Sequence, residues 1–421
     1  METTTVQCCI AGGGPAGMML GLLLARAGVD VLVLEKHADF LRDFRGDTIH
    51  PSTLEVMHEL GVLERLLTLP HQRVSRINAQ FGDLALTVAD FSSLSTHCRF
   101  VAFMPQWDFL NFLADEAAQY STFQLRRQAE VTGLIEEEGS MAGLRANTSD
   151  GPLEVRADLV VGADGRHSIV RAKAGLSIEE FGAPMDVLWF RLSRRASDPA
   201  DPVGRFDAGR IFIMLNRGDY WQCGFVISKG SRDQLQEQGL PAFRYAVAQL
   251  APFMADRVDE LRDWEPIKLL TVQVDRLRQW YRPGLLCIGD AAHAMSPVGG
   301  VGINLAIQDA VATANLLAAP LRDGQVTTED LRRVQQRREW PTSMTQRAQL
   351  AIQNRVIRRV LTERDKFSPP FAIRLLALIP FLRRIPARMI GLGFRPEHVH
   401  TPDTKTPPSS IEVVSHSQRF L

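Results

Sequence analysis

The sequence predicts an α/β protein: a nucleotide-binding core on a parallel sheet, a mixed β-sheet inserted into it, and a C-terminal helical region. Three observations predict it. A strand, glycine turn, helix and strand follow one another over residues 6–34. Alternating β-type segments then fill residues 186–228. Last, a strand running into a long Ala/Leu helix at 285–319 returns to the style of the opening.

The opening unit reads as an apolar strand at 6–10, a glycine turn at 11–14 and a helix at 15–27 that starts on Pro15 and stops at Gly28. A second strand follows at 29–34. Gly12, Gly14 and Gly17 fit GxGxxG with a strand before and a helix behind, the context that gives the motif its meaning. Gly12 is expected to make the tight turn, Gly14 to let backbone amides approach a pyrophosphate, and Gly17 to let the helix pack on the strand. Pro15 and Ala16 begin the helix, whose amides and dipole favour an anion. Glu35 closes the second strand, 23 residues after Gly12, where an acid accepts hydrogen bonds from ribose hydroxyls and repels a 2′-phosphate. Lys36 follows it. This motif alone leaves NAD and FAD equally open.

Composition bounds the alternatives. Forty-eight basic and 48 acidic residues give a formal charge of zero, which argues against a nucleic-acid binder while leaving a local basic patch open. The five cysteines are scattered, with no CxxC or CxxH, so neither a disulfide framework nor a metal site is expected and a reducing, cytoplasmic setting is. No secretory signal opens the chain, and no run of 18 uncharged apolar residues suggests a membrane span.

Further elements follow from pattern. Helices are expected at 52–60 and 106–119, strands at 186–192, 210–215 and 220–228, and a long helix at about 304–319. Residues 328–366 read as helical, rich in Arg and Gln and interrupted at Pro341. Residues 369–393 are apolar, punctuated by Arg374, Arg383, Arg384 and Arg388, and residues 401–421 read as a loose polar tail. The expected division is a nucleotide domain at 1–75, 100–182 and 270–330, a substrate sheet at 76–99 and 183–269, and a helical region at 331–400.

Two segments narrow the cofactor. Residues 158–168 form a buried strand ending in Asp164-Gly165. Residues 284–293 form another, ending in Gly289-Asp290, and Gly299, Gly300 and Gly302 then lead to Asn304. With GxGxxG, these DG and GD motifs resemble the class A flavoprotein monooxygenases of the para-hydroxybenzoate hydroxylase type, over roughly residues 6–320. The resemblance implies an FAD-binding Rossmann-like fold (GR2 type), FAD as cofactor, NADH or NADPH as transient reductant and O₂ as co-substrate. Oxygen activated at flavin C4a would then hydroxylate or oxygenate a small aromatic or polycyclic substrate. No second GxGxxG marks a separate nicotinamide domain, which suits transient docking.

The resemblance also implies site roles. Asp290 would bond the ribityl chain, and the loop 297–302, with Pro297, Gly300 and Gly302, would lie against the flavin ring. Ile303 and Asn304 would begin a helix aimed at the pyrimidine side. Arg45 and Gln106 would contact FAD, Asp164 would link FAD to nicotinamide handling, and Arg171 would support that loop. His293 reads as a packing residue. Val301 stands where many relatives carry Gln, and the C-terminus is too short for the thioredoxin-like domain of the phenol hydroxylase branch.

No catalytic side chain is obligatory. Arg45 and His50 are the candidates for deprotonating a phenol or binding an acidic group, set against a plainer reading with Arg45 on FAD and His50 structural. Substrate candidates are Trp189 and Arg191 on one strand face, Phe212 and Met214 on the next strand, Gln222 beside Gly224, and Pro297; alternation leaves open which face points inward. The rivals are an FAD oxidoreductase without oxygen insertion and a redox-responsive flavoprotein that is not an enzyme. A halogenase is disfavoured, since no WxWxIP occurs. Residues 369–393 either cap the core or a partner chain, or touch a membrane peripherally. The expected partner is a small aromatic or lipophilic molecule, and the chain is expected to be a monomer or homodimer.

Overall fold

The computed structural model describes residues 2–41, 48–199, 203–363 and 371–405. Its central strand, Glu2–Ala11, lies between Gly151–Gly162 and Val31–Glu35, parallel to both. Leu285–Cys287 extends the parallel run beyond Gly151–Gly162, and Phe123–Arg127 extends it beyond Val31–Glu35. Cys8, Cys9 and Ile10 are wholly buried, as expected of a parallel strand covered on both faces. On the edge of Gly151–Gly162 away from Glu2–Ala11, the first half pairs with the antiparallel strand Ser140–Thr148 and the last residues with Leu285–Cys287, so one long strand serves three neighbours.

Two apolar helices, Pro15–Arg26 and Gly302–Arg322, cover this sheet and pack on each other. The second is long and apolar enough to cross a membrane by composition alone, but most of it lies inside the protein core. Ile307, Val311, Leu317 and Leu321 are each almost fully buried, worth about 1.5–3 kcal/mol apiece.

A second sheet of seven strands runs in the order Lys268–Leu270, Met185–Ser193, Tyr220–Ser228, Arg210–Asn216, Val203–Asp207, Arg76–Phe81, Leu84–Asp90. Its pairings are antiparallel except that of Val203–Asp207 with Arg76–Phe81. One face packs under the helix Leu240–Leu250, joining Leu188, Phe190, Phe212, Met214, Trp221 and Phe225 to Phe243. The other carries Val187, Trp189, Ile211, Ile213 and Val226 and meets Val298, Ile357, Val360 and Ile373.

Two expectations fail. Helix Thr328–Ile352 runs straight through Pro341, without the expected interruption. A proline inside a helix costs about 3 kcal/mol, and here tertiary bonds on both sides hold the helix. Arg337 and Arg338 bond Glu397 before Pro341, and Gln346 and Gln349 bond backbone carbonyls after it. Nor is the tail loose from residue 401. Arg26 donates to Thr401 O at 2.6 Å, and Thr404 N donates to Arg26 O at 2.9 Å. Residues 406–421 lie outside the described residues.

Candidate active site

The glycine turn is built by contact. Gly12 takes φ +106°, and a Cβ there would lie 2.5 Å from Ala163 O, so the end of the neighbouring strand excludes any side chain. At Gly17 a Cβ would lie 2.0 Å from Gly12 O, which is why the helix can sit on the turn. Gly14 is the reverse case: it caps helix Pro15–Arg26, and nothing lies within 4 Å of where its Cβ would be. Open space at the amide end of a buried helix suits a phosphate group. Glu35 accepts from Gly13 N at 3.0 Å and from His37 N at 2.9 Å, which fixes its carboxylate at the strand end. Lys36 is exposed beside it.

The GD turn comes to the same place. Gly289 is wedged between Ala16 and Ala306, so the starts of the two core helices face one another across it. Asp290 is a third exposed, its carboxylate 3.6 Å from Arg166. Gly289 N donates to Asp309 Oδ2 at 3.1 Å, and His293 Nε2 lies 2.6 Å from the same oxygen. Arg338 Nε donates to Asp309 Oδ1 at 2.9 Å and reaches Glu397 through its other nitrogen. Burial opposes charge on Asp309, and His293 and Arg338 outweigh it, holding the carboxyl below its usual range. His293 is thus a buried packing and pairing residue, in keeping with the sequence reading.

Asp164 supports the start of the short helix Ile169–Lys173, whose N-cap is Ser168. It accepts from Ser168 Oγ at 2.5 Å, Ile169 N at 2.7 Å and Val170 N at 3.1 Å. Burial raises its pKa even so. Arg171 then joins the DG and GD turns by donating to Arg166 O and Ala291 O.

The loop 297–302 lies where the second sheet meets the core. Gly300 has φ +63°, and a Cβ would fall 2.6 Å from Thr48 Oγ1, while Thr48 donates to Gly300 O at 3.1 Å. Asn304 uses its side chain locally: Oδ1 accepts from His50 N and Thr53 Oγ1, each at 2.8 Å, and Nδ2 donates to Thr48 O. Its side chain pins residues 48–53 against the loop, leaving the backbone amides of Gly302, Ile303 and Asn304 as the helix start. The loop is fastened from behind: Gln349 Nε2 donates to Ser296 O and Val298 O, both at 2.9 Å, and Ser296 Oγ accepts from Gln353 Nε2 at 2.6 Å and from Val298 N at 3.3 Å. Gln353 opens a π-helical turn, Gln353–Ile357.

His50 is 1% exposed, with Nδ1 2.7 Å from Ile390 O. A carbonyl only accepts, so Nδ1 carries the proton and Nε2 a lone pair. Nε2 faces Gly300, 3.6 Å from the position of a Cβ there. Burial lowers its pKa to about 4, so the ring is neutral near neutral pH. Arg45, the other catalytic candidate, lies outside the described residues. Gln106 is half-buried at the head of helix Gln106–Ala117.

The structure divides the substrate candidates. Trp189, Arg191 and Gln222 share the sheet face that meets Val298, with Trp189 lying across Gly224. Arg191 is exposed over Tyr220, and Gln222 accepts from Arg217. Phe212 and Met214 are on the opposite face, filling the core under helix Leu240–Leu250, and this corrects the sequence reading. Alternation paired each residue with its strand neighbours correctly but carried no sign for which face the loop would cover.

The sequence reading missed Thr48, Gln349, Gln353, and the Asp309–Arg338–Glu397 network. Gln346, Gln349 and Gln353 stand at helical spacing, and Asp309 interrupts an apolar helix; those were the available signals.

The open helix start at Gly14, the carboxylate at the strand end and the glycine turns at Gly289 and Gly300 suit a dinucleotide cofactor such as FAD. The FAD binding domain family model matches residues 5–348. The chain is 32% identical over 351 residues to the 6-methylpretetramide 4-monooxygenase of Streptomyces rimosus, covering 83% of this chain and 84% of that protein. It is 30% identical to the rifampicin monooxygenase of Streptomyces venezuelae, covering 74% and 63% respectively. Among solved structures, the OxyS anhydrotetracycline hydroxylase of Streptomyces rimosus superposes with a TM-score of 0.72 at 25% identity, covering 92% of this chain and 76% of that one. The chain therefore belongs to the FAD-binding domain family and, within it, to the class A flavoprotein monooxygenases, which work with FAD, NAD(P)H and O₂.

Proposed function

We propose that the protein hydroxylates a polycyclic aromatic substrate carrying a phenolic hydroxyl, bound between the loop 297–302 and the second sheet. One observation carries this reading: Val298 of the loop and Val187, Trp189, Ile213 and Val226 of the sheet belong to a single apolar cluster. A flat apolar ring system suits such a wall. The names of the relatives acting on pretetramide and anhydrotetracycline support the same substrate class.

FAD supplies the redox chemistry when bound, and the protein supplies position and dryness. Gly299 and Gly300 let the loop backbone approach a planar group closely. Trp189, Ile213 and Leu215 would shield the reacting ring from water, with Phe103 and Ile390 closing the end near His50. Neutral His50 would accept a hydrogen bond at Nε2 from the phenolic hydroxyl and so orient the ring. Gln222, held by Arg217, would bond a second polar substituent. The amides at the start of helix Gly302–Arg322 would stabilise negative charge on the ring system beside them. Residues Gly12, Gly14, Glu35, Asp290 and the loop glycines would hold the cofactor.

The test is product analysis. The purified holoprotein is supplied with NADH or NADPH, isotopically labelled dioxygen and a panel of polycyclic phenols. The reading expects one labelled oxygen atom in a product. Cofactor oxidation that yields hydrogen peroxide alone across the panel would favour an oxidase-like flavoprotein instead.

A further inference from the structure

Residues 371–391 form two short helices, Phe371–Leu378 and Arg384–Gly391, joined by a 3-10 turn at Pro380–Arg383. Their inner side is committed. Ile373 and Leu376 pack with Val298 and Trp189, and Ala387 and Ile390 pack with Phe91 and Phe103. Their outer side is not. Phe371 is 80% exposed, Leu378 77%, Phe381 65% and Ile385 57%.

The exposed residues are regularly placed. Phe371, Arg374 and Leu378 stand at i, i+3 and i+7, and Phe381, Arg384, Ile385 and Arg388 at i, i+3, i+4 and i+7. Each helix therefore shows water a stripe of large apolar groups and arginines. Residues 371–396 hold five arginines and no acidic residue, in a chain whose total charge is zero. Arg384 lies over the Phe381 ring, its centre 4.9 Å away.

We propose that this outer face docks on an anionic lipid membrane. Charge selects the occupant. A second copy meeting this face by a two-fold contact would set arginines against arginines. A nucleic acid would leave Phe371, Leu378 and Phe381 without an apolar partner. An anionic bilayer satisfies both groups, with arginines at the headgroups and apolar tips at the acyl boundary. The inner side of the same segment touches the candidate active site, since Ile390 O accepts the hydrogen bond of His50 Nδ1–H. Docking thus places the active site next to a reservoir of lipophilic molecules.

The test is co-sedimentation of the full-length, FAD-loaded protein with phosphatidylcholine vesicles, with and without phosphatidylglycerol. Binding is expected only with phosphatidylglycerol, and added salt should release it. Phe381→Glu and the pair Arg384→Gln with Arg388→Gln should each weaken partitioning at least tenfold, at roughly fivefold per arginine. Flavin content and melting temperature serve as the check on folding. Equal binding to both vesicle types, no binding, or variants that partition like the parent would overturn the proposal. So would a dimer in solution that Phe381→Glu converts to monomer while vesicles capture neither form.

Discussion

Replacing His50 with Asn separates its two properties, the donor at Nδ1 and the titratable ring. The Asn amide can still donate to Ile390 O, so that carbonyl keeps its partner. What disappears is the group whose pKa burial lowers from 6.5 to about 4. The sign follows directly: the unfolded chain takes up a proton first as pH falls, so folded His50 loses stability between those two values. A shift of that size is worth about 3 kcal/mol in full, and about 2 kcal/mol between pH 7 and pH 5. Asp309, whose pKa is lowered, also loses stability as pH falls, but it does so equally in both proteins. Urea unfolding of parent and variant at the two pH values isolates the His50 contribution. The stability difference should move by about 2 kcal/mol in favour of the variant at the lower pH. A difference that does not change with pH would refute a buried, neutral His50.

Gly12→Ala places a methyl group against Ala163 O at a backbone angle costing about 1–2 kcal/mol, and flavin affinity, read as flavin retained after gel filtration, should fall by roughly five- to thirtyfold on that strain. Asp309→Asn removes the buried negative charge that faces His293 and Arg338 and sets an amide donor where one of its two acceptor oxygens stood, and it should cost about 3–5 kcal/mol in chemical unfolding. Gln349→Leu keeps the side chain's bulk but strips Ser296 O and Val298 O of their donor, costing about 2 kcal/mol and speeding FAD release measured by flavin fluorescence. Thr48→Val removes only the bond to Gly300 O and should lower unfolding free energy by about 1 kcal/mol.

The parts legible in the sequence are those fixed by local rules. The turn at Gly12–Gly17, the strand end at Glu35 and the helix start after Gly302 are each a short stretch whose glycines and caps suffice to define it. The parts that were not legible depend on distant partners. Gln349 and Gln353 stand at helical spacing, yet their partners are backbone and hydroxyl groups about fifty residues away, which carry no side-chain signature. Phe212 and Met214 alternate correctly, yet only the docking of helix Leu240–Leu250 decides that they face away from the loop. Pro341 marks a helix break by local rules, and the buried bonds of Arg338 and Gln346 override it.

A crystal structure of the protein grown with FAD tests the central claim most directly. It should show the pyrophosphate at the Gly14 end of helix Pro15–Arg26, the adenosine ribose on Glu35 and the flavin ring against Gly299 and Gly300. A flavin ring away from residues 297–302, or a nicotinamide dinucleotide held at Gly12–Gly17 in its place, would contradict it.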